Sequence, residues 1–218
     1  MKMTAIQKWL SSLAATALAA AVAYAWLDRP ISLYAYARLP QHATFETLTH
    51  IPDPFIPLAL VIFVGIGLYA LTGGRLTKVH VTALLCSVSV IVAEATKAQL
   101  KFLFGRTWPD TWISGNPSFI HDGAYGFNVL HVGTGYASFP SGHMSLTGAV
   151  VSVLWIAYPK GRPLYAAVIL AVAIGLIGAN YHFLSDIIAG SFVGVSTGWM
   201  TTALWQTRAT AAARTSPL

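Results

Sequence analysis

A chain of 218 residues that is 56% hydrophobic and 9% charged, with a mean hydropathy of +0.63, is too apolar for a water-soluble domain of its size. Its formal charge of +6 does not point to nucleic acid, because the Lys and Arg residues stand singly between apolar runs and form no basic patch. The single cysteine, Cys86, lies inside an apolar run; it excludes a disulfide framework and a thiolate metal site and reads as packing.

Taken in order, the chain predicts an all-α polytopic membrane bundle of six helices in one domain, 1–218. Residues 9–27 are an Ala-rich apolar run after Lys2 and Lys8, read as a first span in preference to a cleaved signal peptide. Residues 28–54, with Arg29, Arg38, Glu46, Pro52 and Pro54, read as a loop carrying an interfacial helix. Spans two and three are 55–72, closed by Gly73-Gly74, and 79–104. In the third, Glu94, Lys97 and Lys101 fall at i, i+3 and i+7, on one helical face near its far end, where ionisable groups face a cavity or a partner.

Residues 105–142 are rich in Gly, Pro and aromatics, including Trp108, Trp112, Tyr125 and Phe127, and a loop that long is expected to be a folded cap over a site. Three more spans follow, 143–158, 164–181 and 186–205, then a polar tail. With six spans, Lys2, Lys8, Arg75, Lys78, Lys160, Arg162, Arg208 and Arg214 share one side, which the positive-inside rule makes cytoplasmic. The ends of spans three and five, the cap loop and the starts of spans four and six then share the opposite face.

Two constellations lie on that face. Pro140-Ser141-Gly142-His143 places a sharp turn, a capping serine and a histidine at a helix start, where free N–H groups and the helix dipole suit an anion such as a phosphoryl group. His143 beside those donors suits a general acid. His182 and Asp186, at i and i+4, share a helical face, so the carboxylate can accept the Nδ1 proton and leave Nε2 basic, the preparation a histidine nucleophile needs. They form a pair and not a three-ligand site, so neither a metal nor another cofactor is expected.

Together with Lys101 and the following Trp108-Pro109, these segments resemble the type 2 phosphatidic acid phosphatases, the superfamily that shares its pocket with vanadium haloperoxidases. That family has a Lys, six residues and Arg-Pro, then Pro-Ser-Gly-His, then Ser-Arg, five residues, His, three residues and Asp. This chain departs at two places: Trp108 stands where the first arginine is expected and Leu176, after Gly175, where the second is. Arg106 is the expected substitute for the first arginine, with Lys97, Asn180 and His121 as weaker candidates for phosphate contacts, and Trp108 is expected to be a lid or interfacial aromatic.

The resemblance implies that His182 attacks phosphorus, Asp186 orients it, His143 protonates the leaving group, and Lys101, Arg106, Ser141 and Gly142 hold the phosphate. It implies an integral protein of a bacterial inner membrane, acting from the extracytoplasmic side on a lipid phosphate or pyrophosphate held in the bilayer, without nucleic acid. A lipid phosphotransferase on the same scaffold and a non-catalytic membrane protein derived from it are the other readings open at this point.

Overall fold

The computed structural model describes residues 3–39, 42–112 and 115–215. Among them lie nine α-helices: α1 (Ala5–Val22), α2 (Asp28–Arg38), α3 (His42–Thr49), α4 (Phe55–Leu71), α5 (Lys78–Phe104), α6 (Phe119–Asp122), α7 (Gly142–Ala157), α8 (Arg162–Gly178) and α9 (Leu184–Thr215). Of the cations used above to assign topology, Lys2 and the side chain of Arg214 fall outside the description.

The first helix runs further than expected. A π turn over Ala23–Leu27 joins α1 to α2, giving one helical stretch from Ala5 to Arg38. Residues 28–38 are therefore helix and not loop. The one helix breaker among them, Pro30, falls in the first turn after the π turn, where the regular hydrogen-bond ladder is already interrupted. The buried face of α2 is Asp28, Ser32 and Ala35. Within the expected loop, α3 is a separate short helix laid against α8, with Phe45 and Leu48 packed over Gly175 and Gly178.

Among the described residues, four stretches are long and apolar enough to cross a membrane: Ala5–Arg38, Lys78–Phe104, Pro159–Gly178 and Leu184–Arg208. α4 and α7 are apolar but shorter, at 17 and 16 residues. α4, α5 and α7 meet through Ala59, Val90, Ala93, Leu146 and Ala149, and α7, α8 and α9 meet through Met144, Val172, Leu176 and Ile187. Large apolar side chains such as Val61, Leu71 and Leu170 remain exposed, as a helix surface facing lipid requires. The Lys78 ammonium lies over the Tyr158 ring and Arg162 over Trp155, so the basic start of α5, the end of α7 and the start of α8 share one end of the bundle.

α7 and α9 pack backbone against backbone. Gly190, Gly194 and Gly198 repeat at intervals of four on α9 and face Ser141, Ser145, Gly148, Ala149 and Ser152 of α7. A Cβ at Gly194 would overlap the Ser145 carbonyl, and one at Gly198 the Ser152 hydroxyl. Such small-residue stripes let helix backbones meet in lipid, where no hydrophobic force between helices is available. At the top of this seam the Ser141 N–H donates to the Asp186 carbonyl (3.0 Å), fixing the start of α7 against the start of α9.

The segment between α5 and α7 is folded by backbone bridges, of Arg106 to Phe127 and to Ala137 and of Trp108 to Ser118. Gly105 ends α5 in the left-handed region (φ 55°), and any side chain there would strike the Asn128 carbonyl. This turn delivers Arg106 from the end of α5 into the centre of the molecule.

Replacing Gly194 by Leu should force α7 and α9 apart and cost at least about 3 kcal/mol, the upper part of the usual overpacking range. The expected result is loss of the monodisperse peak of detergent-purified protein, with Gly67→Leu on the open face of α4 as a tolerated control.

Candidate active site

His182 sits in the tight turn between α8 and α9. Asn180 takes a positive φ of 56°, which an asparagine tolerates, and the N–H groups of Tyr181 and His182 both turn back to the Leu176 carbonyl. α9 then starts at Leu184 and brings Asp186 under the imidazole, with Asp186 Oδ2 3.5 Å from His182 Nδ1. Ser138 Oγ donates to the same carboxylate oxygen at 2.6 Å, and the Phe183 N–H donates to it at 3.0 Å. Nδ1 is thus turned toward the carboxylate and the Ser138 hydroxyl, 3.4 Å away, which leaves Nε2 on the other side of the ring. Burial draws the His182 pKa below the ordinary histidine value, against the opposing pull of Asp186, so the imidazole is neutral at neutral pH.

His143, in the first turn of α7, faces His182 with the ring centroids 6.0 Å apart. Ser141 caps the helix through a bond from the Met144 N–H, and the N-terminus of α7 opens into the same space. Lys97 and Lys101 approach from α5. The Lys97 ammonium is so close to Gly142 that a Cβ there would lie 2.9 Å from Nζ, and Lys97 is also paired with Glu94 at 2.8 Å. The Lys101 ammonium stands over the Trp108 ring, which packs on His182 at 5.2 Å between centroids. Trp108 therefore packs against both the lysine and the imidazole, with its indole N–H fixed on the Thr134 carbonyl.

Three expectations are corrected. Arg106 does not reach the space between the histidines: it is fully buried, with Nη1 on Asp186 and on Ser185 Oγ and Nη2 on Asp28 Oδ2 at 2.7 Å. Its guanidinium lies among Phe183, Tyr24, Phe127 and Tyr125 at 4.3–5.4 Å from their ring centroids. Burial works against its charge, but the carboxylates of Asp186 and Asp28 more than offset this, so its pKa lies above the ordinary guanidinium value. Asn180 is buried too, with both ends of its amide on Ser32 of α2. His121 pairs with Asp110 at 2.8 Å within the cap segment. None of the three presents a donor to the space between the histidines.

The site left by the second family arginine is closed. Leu176 is fully buried among Met144, Val172 and Ile187, with no room for a charged head. Several residues of the site were missed from the sequence. Asp28 follows the first apolar run directly, and an acid with no adjacent acidic neighbour at a span end was a usable signal. Ser138, Ser185 and Asp53, whose Oδ1 lies 3.9 Å from His143 Nε2, gave none without the fold.

A Leu176→Arg variant, which would restore the family's motif, should not improve the site. An unpaired cation in that apolar cluster should cost several kcal/mol, about 3–5 as for a broken buried pair, and be seen as a much lower yield of folded protein.

Comparison with known proteins places these features. The model of the PAP2 superfamily matches residues 82–210. Among curated proteins, a lipid A 1-phosphatase of Rhizobium etli is 30% identical over 101 residues, 46% of this chain and 39% of that protein, so the chain spans well under half the length of this relative. Among solved structures, a transmembrane PAP2 type phosphatidylglycerolphosphate phosphatase from Bacillus subtilis superposes with a TM-score of 0.57 over 92% of this chain and 96% of the other, at 18% identity, which shows a shared fold.

Proposed function

Because the chain belongs to the PAP2 superfamily, we propose that it is an integral membrane phosphatase that hydrolyses a lipid phosphate or pyrophosphate through a phosphohistidine at His182. The observation that carries this reading is the pair of imidazoles facing each other at 6.0 Å, one backed by a buried carboxylate and the other at the start of a helix. A phosphoryl group between them meets a nucleophile on one side and a proton donor on the other. All six apolar helices, α4 and α7 included, are assigned as crossings, with the basic ends cytoplasmic and the site on the opposite side. The curated relative that acts on lipid A and the solved relative that acts on phosphatidylglycerolphosphate both support a lipid substrate.

In the first step Nε2 of His182 attacks phosphorus and the bond to the lipid oxygen breaks, that oxygen taking a proton from His143. Asp186 holds the Nδ1 proton and balances the positive charge that the ring acquires on phosphorylation. In the second step water attacks phosphorus, gives its proton to His143, and breaks the N–P bond, releasing inorganic phosphate. The free N–H groups at the start of α7, with Lys101 and Lys97, are assigned to the non-bridging oxygens.

Lys97 then takes the place the family gives to an arginine. Each charge-assisted bond is worth about 1.5–3 kcal/mol, so Lys97→Met should lower kcat/KM by about 10- to 100-fold. Gly142→Ala is a second probe of the same contact. The group it meets is the far end of a flexible side chain, so stability should change little while the ammonium is displaced and KM rises.

The direct test is phosphate release in detergent from a short-chain phosphatidic acid, a polyprenyl diphosphate and lipid A. His182→Ala should be inactive with every one, and a His182→Ala enzyme as active as wild type would overturn the phosphohistidine route. Since only neutral His182 can attack, and burial lowers its pKa, activity should survive acidification past the ordinary histidine value of about 6.5. The acid limb of the kcat/KM profile is expected below that value, and a limb above it would assign the titration to another group.

A further inference from the structure

We propose that Asp28, at the junction of the first helical stretch, is a positioning residue for the reaction at His182, acting through Arg106 and Asp186. The inference rests on the phosphohistidine reading above but on different residues. Asp28 lies outside residues 82–210, the region that carries the family match.

The four groups form a continuous buried chain. Arg106 donates through Nη2 to Asp28 and through Nη1 to Asp186, and Asp186 lies behind Nδ1 of His182. Asp28 is itself held from α9, with Oδ1 accepting the Ser185 N–H at 2.9 Å and Oδ2 the Ser185 hydroxyl. Asp28, Arg106 and Asp186 are all fully or almost fully buried.

The charges explain why two carboxylates are needed. One guanidinium paired with Asp186 alone would cancel the charge that Asp186 must offer to the imidazolium of the phosphoenzyme. Asp28 engages the other edge of the guanidinium, so two negative groups and one positive leave a net charge of −1 beside His182. That charge grows in value as the ring becomes cationic, which makes it a transition-state interaction and not a binding one. A purely structural tie between α2 and α9 would have no need of this excess charge.

Removing the Asp28 charge should also make the imidazolium harder to form. The other titratable and charged groups facing His182 are Asp186 of α9, Arg106, Lys101 of α5 and His143 of α7. With these unchanged, Asp28→Asn exposes His182 to more of the Arg106 charge, and the acid limb of its profile should move to lower pH.

The experiment uses the full chain in detergent with the most readily hydrolysed lipid of the three probes named above. Asp28→Asn is expected to lower kcat about 10- to 100-fold, to leave KM within about threefold, and to move the acid limb down. Wild-type kcat, or a loss of kcat with an unmoved pH profile, would overturn the proposal. Should Asp28→Asn not yield folded protein, Ser185→Ala decides. It keeps all charges but removes the hydroxyl between Asp28 and Arg106, and a several-fold loss of kcat at constant KM is expected, against wild-type kcat if the chain has no role. A wild-type level in His182→Ala would instead overturn the phosphohistidine reading itself, so the two failures are distinguishable.

Discussion

The guanidinium of Arg106, sealed between two carboxylates, is the interaction on which the arrangement of the site depends. Three charges in a dry interior are expensive to assemble, and a well-packed apolar trio of the same volume would be at least as stable. What the ionic set provides is direction. Arg106 comes from the turn after α5, Asp28 from the junction of α1 and α2, and Asp186 from the first turn of α9, so satisfying one cation brings three separate elements to one point. The aromatic rings of Tyr24, Tyr125, Phe127 and Phe183 exclude water from that point and present their faces to the cation.

The second constraint is the seam of small residues between α7 and α9. It sets the two helix starts side by side, so the turn bearing His143 meets the turn bearing His182. The two devices divide the task. Packing along the seam sets the separation of the histidines, and the buried ion pairs set the angle at which Asp186 addresses the imidazole.

Much of this was legible in the residues themselves. The apolar runs, the Pro-Ser-Gly-His turn and the spacing of His182 and Asp186 are local patterns, and in the structure the two imidazoles lie 6.0 Å apart between ring centroids. The spacing of Gly190, Gly194 and Gly198 is equally local. Arg106 stands two residues before Trp108 and so suggests a substitute for the missing arginine, whereas its partners stand 78 and 80 positions away. The same holds for Asn180, whose partner Ser32 is 148 positions away. The mixed polar composition of residues 28–38 reads as a loop, whereas Asp28 and Ser32 form the inward face of a helix. Burial of polar groups against distant partners leaves no periodic trace in the chain.

The shortness of α7 bears on how a substrate would arrive. Sixteen residues rise about 24 Å, against about 30 Å of hydrocarbon in an ordinary bilayer, while its neighbours α5 and α9 have 27 and 32 residues. On the proposed topology, with the basic ends of the bundle at one interface, the start of α7 would fall short of the other, and Lys97, seven residues inside the end of α5, would lie at a similar depth. The histidines would then stand beneath the level of the surrounding headgroups. Either the bilayer thins around α4 and α7 or the lipid's phosphate sinks to meet them, and mismatch costs fractions of a kcal/mol per Å. Membrane thickness itself would thereby become a determinant of turnover, with thin bilayers presenting the phosphate at the level of the nucleophile.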